Sequence, residues 1–144
     1  MKSILFILSF LAFGAMAAMA QNANGPDMTF EVTTIDYGTI EKGADPIRHF
    51  KFTNTGNEPL IIKSANGSCR CTVPSYPKEP IMPGEGSIVD VRYDTQRVGM
   101  FTETVTVTTN ENTDTRTLII KGEVKAPPTV ESVPVSTDDS NGGQ

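Results

Sequence analysis

Val89-Asp90-Val91-Arg92-Tyr93-Asp94 is the stretch that decides the fold: Val89, Val91 and Tyr93 alternate strictly with Asp90, Arg92 and Asp94. Successive side chains of a strand point to opposite faces, so a period of two marks a strand with one face buried and one in water. The pattern recurs on both sides of this stretch. Upstream, Phe50 and Phe52 alternate with His49 and Lys51 within residues 47–54, and Phe30 and Val32 alternate with Glu31 and Thr33. A short segment, 35–40, contains Tyr37-Gly38, and Leu60 and Ile62 lead another. Downstream, Phe101, Val105 and Val107 share one face against Thr102, Thr104, Thr106 and Thr108, and Leu118, Ile120 and Val124 define the last strand.

Turn chemistry separates these segments. Asn54-Thr55-Gly56-Asn57 and Pro83-Gly84-Glu85-Gly86 supply residues that tolerate positive φ or preset a turn. Pro74, Pro77, Pro80 and Pro83 predict an irregular stretch, because proline lacks the ladder donor. Asn66-Gly67-Ser68 matches a glycosylation sequon and reads as a tight Asn-Gly turn. About seven short strands with no crossover helix exclude a parallel α/β fold. They predict an all-β protein, an antiparallel β-sandwich whose two half-apolar sheets bury their inner faces against each other. A small barrel is the structural competitor.

The ends read differently. Met1-Lys2-Ser3 is a positive start, residues 4–13 are apolar except for Ser9, and Ala18-Met19-Ala20 precedes Gln21. This is the form of a secretory signal peptide, residues 1–20, with cleavage between Ala20 and Gln21. The apolar run is too short to span a bilayer, which needs about 20 residues, and no later segment predicts a transmembrane span. Residues 21–28 read as a flexible mature amino terminus and 29–125 as the domain. Residues 126–144, rich in Ser, Thr, Asp and Gly and without an aromatic residue, read as a disordered tail. The chain carries 12 basic and 17 acidic side chains, a formal net charge of −5. Removal of Lys2 with the signal peptide makes the balance more acidic still, which argues against nucleic acid or an anionic membrane as partner.

Catalytic constellations are missing. The single histidine, His49, falls on the outer face of its strand, and with scattered serines it makes no nucleophile signature. The carboxylates are dispersed through turns and outer faces, so no glycosidase pair is assigned. Pro83-Gly84-Glu85-Gly86 lacks the lysine and following helix of a phosphate loop. The sequence assigns no catalytic, cofactor-binding or metal residue and no cofactor. The Thr-rich face around 102–108 reads as a solvated sheet surface or a face for a partner.

One group with chemistry remains, Cys69-Arg70-Cys71. Three readings stay open: a local disulfide between Cys69 and Cys71, a redox or metal site, and two packed free thiols. A bridge closing so small a loop contributes only about 1.6 kcal/mol on chain-entropy grounds, and a turn at Arg70 would bring the two Cα atoms into bonding range. For metal, two thiolates and His49 give three soft ligands at most, short of the four of a closed zinc site. Cu(I), which prefers soft sulfur, is the metal alternative. The structural disulfide leads.

Several segments occurring in order carry a family resemblance. These are Phe50-x-Phe52-Thr53-Asn54-Thr55-Gly56-Asn57-x-Pro59-Leu60-Ile61-Ile62, Ser68-Cys69-x-Cys71-Thr72, Pro83-Gly84-Glu85, Gly99-x-Phe101 and Leu118-x-Ile120-x-Gly122. Across residues 37–124 the chain resembles Domain of Unknown Function fifteen seventy-three, a family of exported bacterial proteins. The family usually shows Cys-Gly-Cys, and here Arg70 stands in place of the glycine. The resemblance implies an immunoglobulin-like fold similar to the Hydin and major-sperm-protein group, whose members are structural and binding modules. The expectation is therefore a periplasmic or secreted, non-enzymatic module that binds a protein or envelope component. It would act through a sheet face or edge and through the loop 69–83. The alternative is a thiol-redox or copper-handling protein using Cys69 and Cys71.

Overall fold

The alternation in Ile47–Asn54 sends Phe50 and Phe52 inward, with 0% and 2% of their surface exposed, while His49 and Lys51 face water. The partner segment Gly86–Tyr93 buries Val89, Val91 and Tyr93 on the same side. These become β3 and β6 of a computed structural model that describes residues 25–112 and 115–129. In chain order the other strands are β1 (Met28–Phe30), β2 (Thr34–Glu41), β4 (Ile62–Gly67), β5 (Thr72–Ser75), β7 (Gly99–Thr109) and β8 (Thr115–Lys125). One sheet has the order β1-β3-β6-β5 and the other β2-β8-β7-β4. Their inner faces close on a single core in which Phe50, Leu60, Val89, Val91, Val107 and Leu118 are almost fully removed from water. Burying each such side chain contributes about 1.5–3 kcal/mol. Among the described residues there is no helix, and so none long and apolar enough to cross a membrane.

An aromatic group ties the two sheets together at one end. Tyr93 of β6 stacks on Phe101 of β7 with ring centroids 3.8 Å apart, and Tyr37 of β2 meets Phe101 edge-on at 5.3 Å. Tyr37 donates its hydroxyl hydrogen to the Pro46 carbonyl at 2.9 Å, and the Arg48 guanidinium lies 3.9 Å from its ring centre. Burial pushes the Tyr37 phenol up from 10.0 to about 12. A phenol that holds its proton more tightly when folded gives stability that is complete below pH 10.0 and lost as pH rises toward about 12. Tyr37→Phe should accordingly flatten the alkaline fall in stability over that window, read by urea denaturation from about pH 9 to about pH 12.

Three features depart from the sequence expectation. An eighth strand, β5, runs through Pro74, and it occupies a sheet edge, where a missing N–H is tolerated. The sandwich is not wholly antiparallel, because β2 runs parallel to β8 with a register shift between Asp36 and Thr39. Asn66-Gly67 is not a turn: both residues lie in β4, paired with Thr106 and Val105. Glycine is required at 67 because a Cβ there would run into the Thr72 carbonyl oxygen. The strand expectations around Ile47–Asn54 and Gly86–Tyr93 hold. The signal peptide, residues 21–24 of the loose amino terminus and most of the tail lie outside the described residues.

Candidate functional site

The Cys-x-Cys segment sits at a corner of the sandwich, where the chain leaves β4 in one sheet and enters β5 in the other. The corner is a tight turn closed by Thr72 N–H donating to the Cys69 carbonyl at 3.2 Å. The turn brings the Cys69 and Cys71 Cα atoms to 5.2 Å, within disulfide range, and a disulfide joins them. Cys71 is buried and packs into the core, Cys69 is half-buried against it, and Arg70 between them is exposed. The buried Thr72 hydroxyl lies 3.4 Å from Cys69 Sγ and 3.8 Å from Cys71 Sγ. Since the loop is so short, the bridge itself should contribute only about 1.6 kcal/mol to the cost of Cys69→Ser/Cys71→Ser, the burial of a hydroxyl at position 71 adding to it, measured by urea denaturation.

Glu103 completes this corner and was not singled out from the sequence. Its Oε1 lies 3.8 Å from Cys71 Sγ, and its Oε2 accepts a hydrogen bond from the Ser68 hydroxyl at 2.5 Å. Ser68 is itself fixed, accepting from Thr104 N–H at 3.0 Å. The signal was present in β7: Glu103 falls in phase with Phe101 and Val105, a carboxylate on a face whose other members are buried. Beside the turn lies an open hollow of about 300 Å³ lined by Arg70, Cys71, Val73, Arg92 and Asp94.

A larger hollow, about 590 Å³, opens on the outer face of the β1-β3-β6-β5 sheet. Its floor is Lys51 and Thr53 of β3 with Ser87, Ile88 and Asp90 of β6, and its wall is Tyr76 and Pro77, just beyond β5. Lys78 lies 3.5 Å from the Tyr76 ring centre, and the Tyr76 hydroxyl donates to the Lys63 carbonyl at 3.4 Å. Ile88 is 41% exposed here, and Ile47 and Val73 are exposed elsewhere on the same outer face. Sequence reasoning picked out the loop that supplies Tyr76 and Pro77, but not the β3 and β6 residues of the floor.

His49 lies on this outer face, with Nδ1 2.6 Å from Asp90 Oδ1. Asp90 stands between His49 on β3 and Ser75 on β5. The imidazole therefore cannot bridge carboxylate to hydroxyl, the order that a nucleophilic triad requires. The four edge strands are poor templates for an added strand. β1 has three residues, β5 has four and carries Pro74, and β2 and β4 each break register against their neighbours.

Two polar groups that carry structure escaped the sequence. Asn54 is fully buried at the end of β3, where its Nδ2 donates to the Glu58 and Ile81 carbonyls at 2.8 and 2.9 Å and its Oδ1 accepts from Gly56 N–H at 3.0 Å. Glu111, just after β7, is buried and accepts from Met28 N–H at 2.8 Å, Thr109 hydroxyl at 2.7 Å and Arg116 Nη2 at 2.6 Å. The hydrogen bond to Glu111 is the largest influence pushing the Arg116 guanidinium further up.

The fold has solved counterparts. A protein of unknown function from Porphyromonas gingivalis W83 is 18% identical with a TM-score of 0.63, covering 73% of this chain, and this chain spans only 50% of that one. The ASH/PapD-like domain 7 of human CEP192 is 11% identical with a TM-score of 0.55, covering 70% of this chain and 87% of the domain. A structure of the CsuC–CsuE chaperone–tip adhesion subunit pre-assembly complex from Acinetobacter baumannii is 11% identical with a TM-score of 0.50, covering 69% of this chain and 57% of that one. At these identities the likeness is one of fold, an immunoglobulin-like sandwich of the PapD type. No curated protein matches the sequence. The family model for the protein of unknown function DUF1573 matches residues 28–124, which hold both sheets from β1 to all but the last residue of β8, and the chain belongs to that family.

Proposed function

We propose that this chain is an exported, non-enzymatic module that binds another protein on the outer face of the β1-β3-β6-β5 sheet. The observation that carries the reading is the open hollow over Lys51, Ile88 and Asp90, walled by Tyr76 and Pro77. It combines an exposed aliphatic side chain, a half-buried aromatic ring and charges of both signs, the mixture that favours protein recognition over a small apolar ligand. Strand addition is the weaker mode, because each edge is short, interrupted or proline-bearing. The chaperone with a similar fold is found in complex with a tip adhesion subunit, so this type of sandwich can hold a protein. Export is supported by the disulfide, which persists in oxidising compartments, and by the signal-peptide form of residues 1–20.

The test is capture of partners from the native envelope fraction by three forms of the full mature chain. Wild type and Thr106→Arg, on the other sheet, should retain the same partner, while Ile88→Arg should lose it. Capture unchanged by Ile88→Arg, with Thr106→Arg abolishing it, would overturn the reading. Cys69→Ser/Cys71→Ser included alongside shows whether the corner turn shares the interface.

A further inference from the structure

The corner below the disulfide holds three groups that could act together as metal ligands once the bond between the two sulfurs is reduced. Cys69 Sγ, Cys71 Sγ and a Glu103 carboxylate oxygen all lie within 4.8 Å of one another. With the bridge closed, Glu103 is the single charge of the three. With the bridge open and the sulfurs ionised, three negative charges would share one half-buried corner, and their mutual repulsion would be severe at that spacing. A cation between them removes it. We propose that, after reduction of the Cys69–Cys71 bond by a dithiol, Cys69, Cys71 and Glu103 bind one Zn²⁺, with water in the fourth position.

The surroundings fit a site of this kind. Ser68 holds Oε2 of Glu103 and leaves Oε1 turned to Cys71, the way an outer hydrogen bond orients a ligating carboxylate. The buried Thr72 hydroxyl reaches both sulfurs and is placed to donate to thiolates. The donor set selects the metal: two thiolates with a carboxylate suit borderline Zn²⁺ in a three-ligand, open tetrahedral site, whereas Cu(I) would favour sulfur alone. The same carboxylate repels a developing thiolate, which counts against a nucleophilic, disulfide-exchanging role for Cys71. The stoichiometry is closed: the dithiol leaves as its own disulfide, and binding of Zn²⁺ releases the two thiol protons. This inference is independent of what the outer sheet face binds.

The experiment titrates Zn²⁺ into full-length mature protein, reduced with a dithiol, freed of it anaerobically, and held against a chromophoric zinc competitor. One Zn²⁺ per reduced chain is expected, none for the oxidised chain and none for Cys69→Ser/Cys71→Ser. Glu103→Gln, which keeps the shape and the contact with Ser68, should weaken binding about tenfold or more. Circular dichroism of each variant establishes that it is folded. Failure of the folded, reduced wild type to take up stoichiometric Zn²⁺ would overturn the proposal. So would Glu103→Gln binding as tightly as wild type, or equal uptake by the oxidised chain.

Discussion

Glu111→Ala is expected to destabilise the protein by about 2–4 kcal/mol, the cost of leaving two buried donors, the Met28 amide and the Thr109 hydroxyl, without their acceptor. The carboxylate is the common acceptor for three donors from different parts of the chain: Met28 N–H at the start of β1, the Thr109 hydroxyl at the end of β7, and Arg116 near the start of β8. Without it, a buried amide and hydroxyl lose their acceptor, and among the described residues Arg116 keeps only Asp27 at 3.1 Å. The loss is large against a total stability of about 5–15 kcal/mol for a domain. Urea denaturation should show a lowered midpoint at unchanged slope. Arg116 is only partly buried, so removing it instead should cost less. A double-mutant cycle with Glu111→Gln and Arg116→Gln should return a coupling of about 1.5–3 kcal/mol. Additive effects would mean that Glu111 acts through Met28 N–H and the Thr109 hydroxyl and not through Arg116.

Asn54→Ala is expected to cost about 3 kcal/mol, at roughly 1 kcal/mol net for each of the three well-formed hydrogen bonds lost. The side chain joins the end of β3 to the Glu58 and Ile81 carbonyls and to Gly56 N–H, and so fixes two loops at once. Asn54→Asp discriminates between volume and hydrogen bonding. It fills the same space, but it turns an acceptor toward two carbonyl oxygens where an amide donated. It should be at least as destabilising as alanine, whereas a cost well below that of alanine would make Asn54 a space-filler.

Asn54 also shows where local sequence stops being informative. Asn54-Thr55-Gly56-Asn57 reads as a turn, and Gly56 N–H does bond back to Asn54 Oδ1. Nothing in the four residues reveals that the amide nitrogen reaches Ile81, 27 positions away. The strands around Phe50 and Val89 were legible because burial of one face writes a period of two into the chain. Strand β5 was not, because Pro74 reads as a breaker and its tolerance depends on occupying an edge, a fact of topology. The parallel pairing of β2 with β8 joins residues as far apart as Thr34 and Ile119 and leaves no local trace. Glu103 differs: a carboxylate in phase with Phe101 and Val105 marks a break in the apolar face, and the Cys-x-Cys turn is what it faces. The floor of the outer hollow was illegible for the opposite reason, since Lys51, Ile88 and Asp90 look like any solvated strand face.

In the proposed reading, the outer face of the β1-β3-β6-β5 sheet serves recognition and the Cys69–Cys71 corner serves sulfur chemistry. The most direct measurement of the central claim is site-specific photo-crosslinking in the native envelope, with a photoreactive side chain at Lys51 in one form and at Thr106 in another. The account predicts an adduct of one discrete mass from position 51 and none from position 106. Adducts of equal yield from both positions, or an adduct from position 106 alone, would contradict it.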